Sequence, residues 1–408
     1  MSQPLSRRDL MKAGGMIALG LATPPWLASI AKADVLRQAK GRRVDPDAVL
    51  VVIQLTGGND GLNTVVPWSN RKYYDLRPSL AIPEAEVLKF HEQLGFHPAL
   101  AGLYKLYQEN KVAIIQGVGY PKPNRSHFKS MEIWQSASPE TRLKHGWLGR
   151  HFDQRMVTGP LNPVVALGLS TEKPRALDGA QASIPCFASL TDIQSMVGDP
   201  DTERMLRQIQ DASGEGTRVV QQANRTALDA MAALRDQLSR FSPAQAYGKD
   251  RFGVGFRQIA QIVGTSPQTR VIYFSAGGFD THARQKESHQ ALMQGLGDGL
   301  LAFQRELEAL GKANKVMTLV FSEFGRRTYE NASLGTDHGA AAPMFLVGGQ
   351  VKGGLYGPLP DLENLSDGDL KFAIDFRQVY ATALDDWLGG ESAAVLDGKF
   401  DHLPVFSS

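Results

Sequence analysis

The chain has 408 residues, with 44 Lys and Arg against 42 Asp and Glu, a formal net charge of +2, and 42% apolar residues. That profile excludes a disordered chain, a collagen-like fibre and a coiled coil, and a charge so near zero gives no footing for a nucleic-acid partner. The one cysteine, Cys186, excludes an intramolecular disulfide and a multi-cysteine zinc site.

The first residues read as an address label. Ser6-Arg7-Arg8-Asp9-Leu10-Met11-Lys12 precede a mildly apolar stretch from Ala13 to Ala31, and Ala31-Lys32-Ala33 has the small-x-small form of a cleavage site. This order predicts a twin-arginine signal peptide over 1–33, with the twin-arginine translocase as a passing partner. The chain is then periplasmic or secreted and crosses the membrane already folded. A short membrane anchor is the alternative, but Pro24-Pro25 argue against a stable transmembrane segment, because proline removes a helical donor and clashes with the preceding turn.

Residues 34–408 are expected to form one α/β domain. Val49 to Leu55 is an unbroken apolar run of strand length. His97 to Asn110 has helical spacing, and Val112 to Gln116 reads as the next strand. A helix containing Met131, Ile133 and Trp134 follows. From about Asp199 to Phe241 apolar residues recur at helical spacing, which predicts either a helical insertion or ordinary covering helices. Arg270 to Phe274 is a strand, Gln290 to Leu310 an amphipathic helix, and Val316 to Phe321 and Met344 to Val347 two more strands. Continuous apolar strands separated by helices indicate a mainly parallel sheet with helices on both faces.

The informative residues follow the strands. Thr56-Gly57-Gly58-Asn59-Asp60 comes after the first, and Asn124-Arg125-Ser126-His127 after the second. Gly277-Gly278-Phe279-Asp280-Thr281-His282 and Ser322-Glu323-Phe324-Gly325-Arg326 follow two others, and Gly335-Thr336-Asp337-His338-Gly339 precedes the last. In an open parallel sheet such loops share the carboxyl edge, where ligands bind. Carboxylates gathered there repel unless a cation sits among them or protons are taken up. Asp60, Asp280, His282, Glu323, Asp337 and His338 are therefore candidate metal ligands, with zinc, magnesium, manganese or calcium as the ion. Each has a plainer reading alone: Asp60 as a turn former, Asp280 as a cap, Glu323 as a partner of Arg326 or Arg327, Ser126 as an N-cap. Dinucleotide, Walker and Gly-x-Ser-x-Gly motifs are missing.

The leader together with Gln54–Pro67 (QLTGGNDGLNTVVP), Gly277–His282 (GGFDTH), Ser322–Arg326 (SEFGR) and Gly335–Gly339 (GTDHG) resembles the exported family known as domain of unknown function 1501. That family is grouped with the alkaline-phosphatase and sulfatase superfamily. The resemblance implies an alkaline-phosphatase-like fold in which Asp60 and a Ser126 nucleophile share one metal, while Asp280, His282 and His338 hold another. The sequence departs from the superfamily pattern at Phe324, which stands where a histidine is usual beside Glu323. Two functions remain open. One is a metal-dependent hydrolase of phosphate or sulfate esters, with Ser126 as nucleophile and Arg125 or Arg326 stabilising the anionic transition state. The other is an exported binding or assembly protein that retains the fold and a structural metal.

Overall fold

Strand β1 (Val49–Leu55) is buried along its whole length, and its alternation sends side chains to opposite sides. Val49, Val51, Ile53 and Leu55 enter one apolar core, whereas Leu50 and Val52 enter a second. The computed structural model describes residues 44–157, 159–190, 225–226, 228–231, 233–234 and 238–406. The strands that follow are β2 (Val65–Val66), β3 (Leu88–Lys89), β4 (Gly95–Phe96), β5 (Val112–Gly119), β6 (Ala166–Leu169) and β7 (Cys186–Phe187). Strands β8 (Val271–Ala276), β9 (Val316–Phe321), β10 (Ala342–Gly348), β11 (Gly354–Tyr356) and β12 (Ile374–Asp375) complete the set among the described residues.

The main sheet has the order β11-β5-β10-β9-β1-β8-β6-β7, with β12 also on β5, while β2, β4 and β3 form a small separate sheet. Pairing is parallel throughout the main sheet except at β10, which runs antiparallel to β5 and β9. The sheet is thus mixed and mostly parallel, as the apolar runs indicate.

Helices α1 (Gly61–Thr64) and α2 (Arg71–Leu76) precede α3 (Ala101–Gln108), α4 (His127–Ser136) and α5 (Trp147–Met156). Later come α6 (Arg251–Thr265), α7 (Gln285–Ala309), α8 (Phe376–Thr382) and α9 (Ser392–Val395). Leu103 of α3, Phe256 of α6 and Leu300 of α7 pack in the first core; Trp134 of α4, Phe152 of α5 and Tyr380 of α8 pack in the second. Helices therefore cover both faces. Strands β1 and β9 have the bounds read from the sequence, while β5 continues to Gly119 and α7 begins five residues earlier. Pro98 opens a 3-10 turn, Pro98–Leu100, so α3 starts only at Ala101. The twin-arginine leader and most of the expected 199–241 insertion lie outside the described residues; Leu228, Met231, Leu234 and Leu238 from that stretch are buried in the first core. No helix among the described residues is long and apolar enough to cross a membrane.

Because β1, β5, β8 and β9 run parallel, the loops after them meet at one edge. Strand β10 runs the other way, so the 335–341 segment enters at that same edge. The loops approach so closely that Gly57 and Gly58, at φ +122° and +78°, admit no side chain. A Cβ on Gly57 would strike the backbone nitrogen of Asp280, and one on Gly58 the ring of Phe324.

Candidate metal centre

Arg326 ties the converging loops together. Its guanidinium is wholly buried and donates to the carbonyls of Gly57, Gly58, Phe279 and Thr336, and at 2.7 Å to Asp280 Oδ1. Phe324, 1% exposed, lies beneath the imidazoles, its ring centroid 5.0 Å from that of His127 and 4.8 Å from that of His338. Phe324 thus forms an apolar floor.

Above it, three histidines turn their Nε2 atoms toward one carboxylate oxygen. Asp280 Oδ1 lies 3.0 Å from His282 Nε2, 3.1 Å from His338 Nε2 and 3.3 Å from His127 Nε2. The opposite nitrogens face acceptors: His127 Nδ1 faces Glu323 Oε1 at 2.9 Å, His282 Nδ1 faces Asp337 Oδ1 at 3.1 Å, and His338 Nδ1 faces the carbonyl of Arg125 at 2.7 Å. A carbonyl or carboxylate accepts, and a neutral ring that gives its Nδ1 hydrogen to that acceptor presents a lone pair at Nε2. The Nε2 atoms of His282 and His338 are only 2.9 Å apart, and that of His127 is buried without a hydrogen-bond partner among the described residues. Lone pairs crowded together on a carboxylate repel unless a cation or proton joins them. Carboxylates behind ligating histidines are the outer layer that fixes tautomer and ring orientation in metal sites. One ligand atom each from His127, Asp280 and His338 lies within 4.8 Å of the others, a spacing that one ion can bridge.

The charges agree with that arrangement. Burial opposes ionisation of Asp280, but the Arg326 guanidinium and the His338 ring hold its carboxyl down at about 2. Asp337 is lowered by the Asn331 amide and by His282. Hydrogen bonding to Glu323 raises His127, whereas burial lowers His338.

Asp280, His282, Glu323, Asp337 and His338 are therefore brought together, but in two layers. Glu323 Oε1 accepts the Gly57 N–H at 2.8 Å and faces His127, and Asp337 stands behind His282, so neither points its charge at the Nε2 cluster. Asp60 lies apart. Its Oδ1 caps α1 through the Asn63 N–H, and its Oδ2 receives Arg77 at 2.6 Å and the Gln285 amide, all fully buried. Burial raises its pKa, and the Arg77 charge more than offsets this, leaving it lowered.

Ser126 occupies the N-cap position of α4, yet its side chain makes no capping hydrogen bond and is exposed beside His127. Arg125 is committed to Asp367 and Asp369, at 2.8 and 2.5 Å, and reaches the centre through its backbone carbonyl. Arg326 is likewise a clamp enclosed by carbonyls, which leaves its charge facing Asp280. His127 is the member that the strand-end motifs did not single out as a ligand. The signal was its place after β5, on the same edge as His282 and His338.

Residues 103–397 match the family described as "Protein of unknown function (DUF1501)". No curated protein matches the chain. Among solved structures the chain is similar to Ps i-CgsB in complex with k-i-k-neocarrahexaose, at 8% identity and a TM-score of 0.40, over 87% of this chain and 73% of that one. It is also similar to the PsFucS1 sulfatase from Pseudoalteromonas sp., at 11% identity and a TM-score of 0.39, over 94% of this chain and 75% of that one.

Proposed function

The chain belongs to the DUF1501 family, whose match spans well over half of its length, and we propose that it is an exported metal-dependent hydrolase of phosphate or sulfate esters. The observation that carries this reading is the convergence of His127, His282 and His338 on Asp280, each ring backed by an acceptor at Nδ1. Of the four ions the sequence admits, zinc suits imidazole donors best and magnesium and calcium least. His127, Asp280 and His338 would hold it, with His282 alongside. Bound there, the ion would supply Lewis-acid polarisation of the ester and would favour the ionised form of a nearby hydroxyl.

The chain's own groups do the rest. Ser126 offers an exposed hydroxyl one residue before His127, uncommitted to capping, as the nucleophile. The amino end of the ten-residue α4 carries the positive end of the helix dipole and favours an anionic ester. Arg125 and Arg326, engaged with carboxylates and carbonyls, position His338 and Asp280 instead of meeting the substrate's charge. The leader over 1–33 directs the folded chain, one domain over 34–408, through the twin-arginine translocase.

A second reading follows from the fourth side chain. With His282 included the donors number four, the complement of a closed structural zinc site, as suits a non-catalytic binding or assembly protein. Elemental analysis and a panel of phosphate and sulfate esters separate the two. Wild-type protein is expected to carry about one zinc per chain and to turn over a panel ester, both lost in Asp280→Ala. Zinc without any turnover would favour the structural reading, and equal metal in both proteins would overturn the centre. Glu323→Gln should weaken metal binding by about 10–100-fold without removing a ligand.

A further inference from the structure

Thr281 stands between Asp280 and His282, and Thr336 stands two residues before His338. Both threonines are buried, and both hydroxyls reach a single atom, the side-chain oxygen of Gln285. Thr281 Oγ1 lies 3.0 Å from it and Thr336 Oγ1 2.6 Å. Gln285 is the first residue of α7 and has no solvent exposure. Its backbone N–H donates to the Leu334 carbonyl at 2.9 Å, and the Thr336 N–H donates to the Thr281 carbonyl at 3.2 Å. The start of α7 is thus packed against the two segments that supply Asp280, His282 and His338 to the Nε2 cluster.

Chemistry fixes the direction of each side-chain bond. Asp60, ionised beside Arg77, only accepts, so the carboxamide turns Nε2 to Asp60 Oδ2 and Oε1 to the threonines. Oε1 has two lone pairs, one for each hydroxyl hydrogen. Thr281 Oγ1 has one other acceptor, the Phe279 carbonyl, at a long 3.4 Å. Asp60 stays outside the ligand cluster: it orients the amide, and the two threonine bonds do not pass through it. Ligands carried on separate segments must be held within about 0.5 Å of their bound positions before an ion can use them, which calls for a support joining those segments.

We propose that Gln285 is a positioning residue for the metal centre. Its side-chain oxygen, bonded to both threonines, fixes the Asp280–His282 segment against the Thr336–His338 segment. This role rests on the metal reading of the Nε2 cluster and is independent of ester hydrolysis.

The test measures two quantities on the full chain: zinc affinity, by competition with a chromogenic chelator, and the melting temperature after the metal has been stripped. Gln285→Met, a side chain of similar length, should weaken zinc binding at least about fivefold, the factor expected of one net hydrogen bond. It should also lower the melting temperature, because two hydroxyls are left buried without their acceptor. Thr336→Val should weaken zinc binding as well, whereas Thr336→Ser, which keeps the hydroxyl, should bind zinc as wild type does. These two variants decide the matter if Gln285→Met does not fold. The triple variant Gln285→Met/Thr281→Val/Thr336→Val leaves no unpaired hydroxyl, so its melting temperature should return toward that of wild type while zinc binding stays weak. A glutamine that merely stabilised the fold would let the two recover together. That joint recovery, equal zinc affinity in wild type and Gln285→Met, or a Thr336→Ser as weak as Thr336→Val overturns the role and leaves the centre standing. A wild-type chain that binds no zinc overturns both.

Discussion

Asp60→Ala distinguishes a buried ion pair from a metal ligand. The change removes the charged partner of Arg77, a guanidinium whose side chain has no solvent exposure. Arg77 keeps the carbonyls of Arg327 and Thr328 and the Asn63 side chain as acceptors, but none of these is an anion. Breaking a buried pair costs about 3–5 kcal/mol, and the surviving acceptors place this case near the lower figure. Loss of the cap on α1 adds about 1 kcal/mol. The expected destabilisation of about 4 kcal/mol is a large part of the roughly 5–15 kcal/mol that holds a native domain together. Urea unfolding followed by circular dichroism at pH 7 measures it, with zinc determined on the same samples. The folded fraction should keep its metal. Pairing Asp60→Leu with Arg77→Met should recover most of the loss, because no uncompensated charge is left in the interior. Metal lost at a stability cost below about 1 kcal/mol would refute the reasoning and return Asp60 to the ligand set.

Ser126→Ala should change stability by less than about 0.5 kcal/mol, since no capping bond is lost, while removing most turnover and sparing metal content. Intact turnover with a loss of about 0.5–2 kcal/mol would instead assign the hydroxyl to helix capping. His151, fully buried on α5, is pushed down by burial to about 3 from an ordinary 6.5. The unfolded chain therefore binds the extra proton first, so the contribution is complete above pH 6.5 and is lost as pH falls toward 3, by up to about 1.4 kcal/mol per unit. Unfolding curves between pH 7 and 4.5 should be flatter for His151→Gln than for wild type; parallel curves would show that His151 protonates in the folded state.

The strands were legible because burial on both faces favours near-continuous apolar runs, and VLVVIQL and VMTLVF, each with a single polar residue, announce that directly. The start of α7 was hidden because its first turns bury polar side chains, Gln285 and His289, so the leucine periodicity begins late. In the site, short motifs put Asp280 next to His282 and Asp337 next to His338, and strand order brought both pairs to one edge. What separates an inner from an outer ligand layer is the direction of each ring and carboxylate, which spacing does not encode. Asp60 is the sharpest case: its partner Arg77 stands 17 residues away on the far side of α2, with no local signal that the two meet. His127 was overshadowed by the hydroxyl beside it, and counting histidines in the edge loops would have raised it.

Arg326 fastens loops that lie far apart in the chain, its contact with Gly58 spanning 268 positions. Such contacts form late, after most of the loop-closure entropy has been overcome. His127, Asp280 and His338 are drawn from positions far apart in the chain, and the same edge is clamped to Gly57 and Gly58, so an ion held by them would bind the native state and have little hold on the unfolded one. Its binding free energy then appears as folding free energy, and the melting temperature should track free metal concentration. Selection among divalent ions depends on availability as well as affinity. An ion taken up at this centre would therefore be chosen by the compartment in which the chain completes its fold.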